Sequence, residues 1–194
     1  MKSFIALEGV DGAGKTTVSE RLAHELGATY LRTPGEGYRL ARKHVDSGAS
    51  PVAKLLFYVS SVVDASHQAT LIRNSKPVIC DRYIWSSLIP HAAYYEQDLH
   101  SLEQSWKFIT SQIAIPSQTI LLRVNEDEQL RRLGDRTEVT ASDTYCRKEA
   151  LRRRARELYD TIAQRDGWTI IETDNKGIEE VVEEILEKAV GVLV

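Results

Sequence analysis

The stretch Phe4-Ile5-Ala6-Leu7-Glu8-Gly9-Val10-Asp11-Gly12-Ala13-Gly14-Lys15-Thr16-Thr17 decides how the rest of the chain is read. Its first four residues are a short apolar run, the pattern of a buried strand. Gly9 to Thr16 then matches G-x-x-x-x-G-K-[ST] at every fixed position. A helical pattern follows from about Lys15 to Leu26 and closes at Gly27. The glycines let backbone N–H groups turn inward around phosphate oxygens with no Cβ in the way. The start of the helix adds the positive end of its dipole. Lys15 is placed for the β- and γ-phosphates and the Thr16 hydroxyl for Mg²⁺. Gly9, Asp11, Gly12, Ala13, Gly14, Lys15, Thr16 and Thr17 are therefore the candidate nucleoside triphosphate site.

Outward from this loop, strands and helices alternate. Ala28 to Arg32 reads as a second strand, broken by Pro34-Gly35-Glu36-Gly37 and followed by a polar segment to about Ser50. A long helix fits Pro51 to Asn74, with Leu55, Leu56, Val59, Val62, Val63, Ser66 and Thr70 at helical spacing. Pro77 to Asp81, Thr119 to Val124 and Trp168 to Glu172 are further strands, with helices expected near 100–114 and 142–165. The last helix carries Ile178, Val181, Val182, Ile185, Leu186 and Ala189 on one face. Near-continuous apolar strands alternating with helices point to an α/β fold, a parallel sheet with both faces covered. No repeat or linker divides the chain.

Composition narrows the function. The 194 residues, 42% apolar and 27% charged, are enough for one domain with a substantial core. Lys and Arg number 25 against 28 Asp and Glu, a net charge of −3, so the basic excess of a nucleic-acid binder is missing. The two cysteines, Cys80 and Cys146, do not make a disulfide framework, and no Cys/His cluster has zinc spacing. Met1-Lys2-Ser3 leads into the first strand without a signal-peptide core. No apolar run reaches the roughly 20 residues that span a bilayer. A cytoplasmic protein with neither membrane nor nucleic-acid partner is expected.

Val78-Ile79-Cys80-Asp81 is an apolar strand ending in a carboxylate, which can hold Mg²⁺ beside Thr16. Arg82 follows, where a guanidinium could grip phosphate oxygens; the pair could equally cap the strand. Arg131, Arg132 and Arg136 lie in a polar stretch after the fourth strand, placed to supply positive charge during phosphoryl transfer. The run Arg147, Lys148, Arg152, Arg153, Arg154, Arg156 alternates with acids and reads as a solvated helix face.

Together these pieces resemble the thymidylate kinase family of nucleoside monophosphate kinases. The matching stretches are Phe4 to Thr17, Leu55-Leu56-Phe57, Asp81-Arg82-Tyr83 followed by Ser86-Ser87, and Asp135-Arg136-Thr137-Glu138. The resemblance implies a three-layer P-loop NTPase fold with a five-stranded parallel sheet between helices. It also implies one kinase domain over 1–194 with a short lid around 131–142, homodimers, and transfer of the ATP γ-phosphate to dTMP. Carried onto this chain, Asp11 sits near the acceptor sugar and phosphate, Arg82 bridges the two substrates' phosphates, and Phe57 stacks on the base. By its spacing alone Phe57 is a core residue. Ala13 is not basic, so the lid should supply the charge, with Arg131, Arg132 and Arg136 as candidates.

The departures concern the acceptor. Arg32-Thr33-Pro34-Gly35-Glu36 stands where the family has Arg-Glu-Pro-Gly-Gly, leaving Arg39, then Arg42, as phosphate ligands. Ser61 stands at the place of the family's base-reading arginine, and Ile89-Pro90-His91 replaces Ala-Tyr-Gln. Asp64 and His67, a turn further along, could substitute, although His67 also reads as a half-buried helix residue. Altered hydrogen-bonding partners change or relax base specificity, so Ser61 and His91 join the candidate acceptor residues. A nucleoside kinase, or a divergent P-loop kinase acting on another phosphorylated small molecule, is the alternative. A slow P-loop switch is a third reading, against which no Asn-Lys-x-Asp motif is found.

Overall fold

A computed structural model describes residues 1–135 and 148–189, with the side chain of Ala189 left out. Arg136, Cys146 and most of the expected lid at 131–142 lie outside the described residues. The sheet has five strands, β1 (Phe4–Glu8), β2 (Thr29–Arg32), β3 (Val78–Asp81), β4 (Gln118–Arg123) and β5 (Thr169–Glu172). They run in the order β2-β3-β1-β4-β5, every neighbouring pair parallel. Parallel strands need long crossovers, and helices supply them. These are α1 (Lys15–Glu25), α2 (Arg39–Gly48), α3 (Pro51–Ile72), α4 (Trp85–Tyr94), α5 (Leu99–Ser105), α6 (Lys107–Thr110), α7 (Glu126–Gly134), α8 (Glu149–Asp166) and α9 (Ile178–Ala189).

The two-residue period of the strands sorts the core into two layers. Phe4, Ala6, Val78, Cys80 and Leu121 face α3, α4 and α8, meeting Leu55, Val59, Val62, Leu88, Ile89, Tyr159 and Ile162. Ile5, Leu7, Ile79, Ile120 and Leu122 face α1 and α9, meeting Val18, Leu22, Val181, Val182 and Ile185. All five residues of β1 are buried, which explains the unbroken apolar reading up to Glu8. Among the described residues no helix is long and apolar enough to cross a membrane.

The five strands and the first, long and last helices lie where the sequence places them, within two residues at each end. Among the described residues, three helices go beyond what the sequence predicts. α2 fills the expected polar segment and buries none of its residues; its apolar face is short, Leu40, Ala41 and Val45 among charged neighbours. α4 contains Pro90, a residue that argues against a helix interior because it removes one backbone hydrogen bond. α7 was read as part of a polar stretch, although its cues are local. Asn125 caps it by accepting from the Glu128 N–H at 2.9 Å, three acids occupy its first turn, and Arg131 and Arg132 its last. The helix expected near 100–114 is broken at Trp106 into α5 and α6.

Candidate active site

The loop between β1 and α1 is shaped by its glycines. Gly9 has φ +141°, and a Cβ there would lie 2.4 Å from the Leu122 carbonyl oxygen of β4. Gly12 and Gly14 have φ +90° and +88°, a region L side chains rarely adopt, and Gly14 opens α1. Lys15 is buried and its Nζ donates to the carbonyls of Gly9 at 2.8 Å and Val10 at 2.7 Å. Burial, with Arg82 next, pulls the Lys15 ammonium down to about 7, against the opposing pull of Asp11, Asp81 and Glu8.

Asp81 ends β3 beside this loop. Its Oδ2 accepts from Thr16 Oγ1 at 2.6 Å and Tyr30 Oη at 3.3 Å, and faces Arg32 Nε at 3.7 Å. Its Oδ1 is buried with no hydrogen-bond partner. A carboxylate oxygen left over beside a threonine hydroxyl fits a hard divalent cation. Among the described residues no cluster of three or more His, Cys, Asp or Glu could hold a metal. Most ligands of such an ion would therefore come from phosphate and water, as is usual for Mg²⁺.

Arg82 follows at φ +70°, left-handed for a non-glycine residue, and its guanidinium meets Asp11 Oδ1 at 2.6 Å. Burial disfavours the Arg82 cation, but the Asp11 and Asp81 carboxylates outweigh it and hold the pKa above its ordinary value. The loop opens here into a cavity of about 220 Å³. Gly9, Val10, Asp11 and Arg82 line it, as do Arg32, Arg42, Lys54 and Tyr58. Ser87, His91 and Tyr94 of α4 and Arg152 and Tyr159 of α8 also line it. His91 is buried, its pKa lowered by desolvation, and its ring lies 4.7 Å from that of Tyr95.

The thymidylate kinase family model matches residues 7–185. The chain belongs to the thymidylate kinase family. A probable thymidylate kinase of Methanococcus aeolicus is 34% identical, over 97% of this chain and 96% of that protein. One of Thermoplasma acidophilum is 30% identical, over 97% and 96%. The thymidylate kinase structure of Candida albicans is 18% identical with a TM-score of 0.73, covering 98% of this chain and 92% of that one. That of Ehrlichia chaffeensis is 21% identical with a TM-score of 0.69, covering 96% and 98%. The structural likeness establishes the P-loop fold, and the family is one of phosphotransferases that convert dTMP to dTDP with ATP.

Against this family pattern, the structure gathers Gly9, Asp11, Lys15, Thr16, Asp81, Arg82 and His91 around the loop and cavity. Gly12, Ala13 and Gly14 complete the loop, and Thr17 is exposed on the first turn of α1. Three expected acceptor residues lie elsewhere. Arg39 is exposed and paired with Glu36 at 2.5 Å, while Arg42, one turn on, reaches the cavity. Phe57 packs edge-on against Tyr38 and Tyr58, and it is Tyr58 that lines the cavity. A step of one residue turns a helical side chain by about 100°, enough to exchange the two roles. Ser61 is buried and donates to the Tyr58 carbonyl at 2.7 Å. Asp64 and His67 are exposed, so His67 is not half-buried as expected.

The arginines are also redistributed. Arg131 is exposed and bound to Glu128 and Asp135. Arg132 is pinned behind the loop by Glu128, by Thr173 and by the Gly12 carbonyl at 3.4 Å. Both belong to α7 and neither lines the cavity. Arg152, read as part of a solvated face, is only 7% exposed, is paired with Glu126 and lines the cavity. Arg156 donates to Gln129 Oε1 at 2.7 Å, and Gln129 Nε2 donates to the Asp11 carbonyl at 2.6 Å. Helical spacing offered one signal: Arg152, Arg156 and Tyr159 fall on one stripe of α8.

The depressed Lys15 gives a signed expectation. In the nucleotide-free protein the cation is lost as pH rises through about 7, while the triphosphate binds the cation. kcat/KM for ATP, which reports the free enzyme, is expected to fall by up to about tenfold per unit between pH 7 and 9. kcat at saturating ATP should stay level, because bound phosphates keep the proton on Lys15. A kcat/KM that is flat over this range excludes the assignment.

Proposed function

We propose that this chain transfers the γ-phosphate of Mg²⁺-bound ATP to dTMP, giving dTDP and ADP. The observation that carries the reading is that Gly9, Val10 and Asp11 of the phosphate loop line the cavity together with Arg82, which follows β3. A nucleotide's phosphates on the loop and an acceptor's phosphate in the cavity then meet at one point. Gly12, Ala13, Gly14, Lys15, Thr16 and Thr17 hold the donor, and Thr16 with Asp81 holds Mg²⁺, which offsets charge on the donor phosphates. Arg82 moves between Asp11 and the two substrates' phosphates, and Arg32 and Arg42 take the acceptor phosphate. An acceptor phosphate oxygen is already a nucleophile, so the residues' task is alignment and charge compensation, with no obligatory base. Arg136, in the lid segment around 131–142 of a single kinase domain, adds charge over the γ-phosphate, and Arg152 supports it from α8.

ATP turnover against dTMP, dUMP, UMP, CMP, dCMP, GMP, AMP and thymidine tests this reading. Strong stimulation by dTMP, abolished by Lys15→Ala in a folded protein, is expected. Stimulation by thymidine in place of dTMP would favour a nucleoside kinase, and none by any acceptor would end the proposal.

Within the same reading Tyr58 replaces Phe57 as the aromatic contact to the acceptor. Tyr58→Ala is expected to raise the acceptor KM about tenfold, the scale of one lost aromatic contact, with the ATP KM unchanged. Phe57→Ala should leave the acceptor KM within about twofold, and the reverse order would restore Phe57 to the role.

We further propose a homodimer in the cytoplasm, where charged nucleotides are available. Val52, Leu56, Val63 and Leu71 are exposed at helical spacing along α3, an apolar stripe that two copies could bury against each other. Sedimentation should give twice the chain mass for the wild type and a shift towards monomer for Leu56→Glu. A monomer at micromolar wild-type concentration removes the proposal.

A further inference from the structure

Glu8 is a completely buried carboxylate in the middle of the sheet, and the phosphate chemistry above gives it no task. It ends β1 one residue before the loop, yet its side chain points to the segment after β3. Oε1 accepts from the backbone N–H of Tyr83 at 3.1 Å and of Trp85 at 3.1 Å, and Oε2 accepts from the Ser86 hydroxyl. Ser86 Oγ in turn lies 3.4 Å from the Tyr159 hydroxyl of α8. Burial pushes the Glu8 carboxyl upward, and the bonds from Ser86 and Tyr83 and the Lys15 charge draw it back. Burial is the larger effect and leaves the carboxyl above its ordinary value; Tyr83, Trp85 and Ser86 all donate, so both oxygens act as acceptors.

The segment it grips is the one that needs holding. Arg82 has φ +70°, which costs a non-glycine residue energy unless its surroundings over-determine it. Its own N–H donates to the Leu7 carbonyl at 3.0 Å and its carbonyl accepts from Thr33 Oγ1 at 3.0 Å. The following N–H, that of Tyr83, goes to Glu8, and so does that of Trp85, the first residue of α4. α4 has no side-chain cap of its own, so Glu8 caps it from another element. One carboxylate thus fixes both the turn that aims Arg82 at Asp11 and the start of the helix that presents Ser87, His91 and Tyr94 to the cavity.

We propose that Glu8 is a positioning residue for the acceptor half of the site, acting through its hydrogen-bond reach to the Arg82 turn and α4. This rests on the reading of Arg82 as a phosphate ligand. Reach and charge separate with two conservative variants. Glu8→Gln keeps an acceptor oxygen at the same length and loses the charge; Glu8→Asp keeps the charge and is one methylene short. Displacements of about 1 Å in an aligned site cost about 10²-fold.

Steady-state kinetics with dTMP and ATP is the test, on variants matched to wild type by circular dichroism. Glu8→Gln is expected to stay within about threefold of wild type. Glu8→Asp should lose about 100-fold in kcat/KM for dTMP, shared between a higher dTMP KM and a lower kcat, with the ATP KM within twofold. The proposal is overturned if Glu8→Asp works and Glu8→Gln does not, which would mean that charge toward Lys15 matters. It is also overturned if both variants behave as wild type, or if kcat falls with neither KM moved, as a smaller folded fraction would give. Arg82→Ala, run in parallel, should lose dTMP-dependent turnover. If it does not, the reading of Arg82 is what fails, and the positioning proposal falls with it.

Discussion

The chain can leave β1 for the phosphate loop only by passing against β4. At Gly9 the space for a side chain is taken by the Leu122 carbonyl oxygen, 2.4 Å from where a Cβ would be. Everything on the donor side follows from that passage. It brings the Val10 and Gly9 carbonyls over the sheet edge, gives Lys15 its resting acceptors, and sets the start of α1 beside Asp81. Because β1 lies between β3 and β4, the same passage puts the loop next to Arg82 and the cavity. The parallel sheet is thus less a scaffold beneath the site than the reason its two halves are adjacent.

Around the cavity the organising force is electrostatic. Around a chain of net charge −3, Arg32, Arg42, Arg82 and Arg152 all line one cavity. Each has a carboxylate partner: Asp81, Asp46, Asp11 and Glu126. Asp46 also accepts from the Tyr58 hydroxyl at 2.5 Å, and its carbonyl accepts from Lys54. α2, with no buried residue, is thus linked to α3 by Asp46 at the edge of the cavity. Partly buried pairs of this kind contribute little net stability; their value is in holding side chains ready.

The sequence made the architecture legible because period and composition carry it. Buried strands read as apolar runs, the loop as a fixed-spacing motif, and the long helix through the spacing of Leu55, Val59 and Val62, all buried in the structure. The helices α2 and α7 escape a reading by period because each is about ten residues long and mostly charged or polar, with only two or three apolar residues on one face. At the site, the geometry of the phosphate loop was legible and the lining of the cavity only partly so. Tyr58 and Phe57 differ by one helical step, and no local property says which of them meets the cavity. Arg152 differs from its charged neighbours only in having Glu126 across a tertiary contact, which a run of alternating charges does not reveal.

The pairing of the cavity cations has a consequence for selectivity in time, before chemistry begins. A site of bare cations would hold any passing anion; one in which every guanidinium already has a partner behaves as an ion exchanger with a threshold. A small anion that meets one arginine must break one pair to gain one contact, an exchange close to neutral. A nucleotide that reaches several of them at once displaces the set together, and only then does the sum favour binding. The difference between two such ligands lies in how many pairs are exchanged at once, and it needs no steric gate.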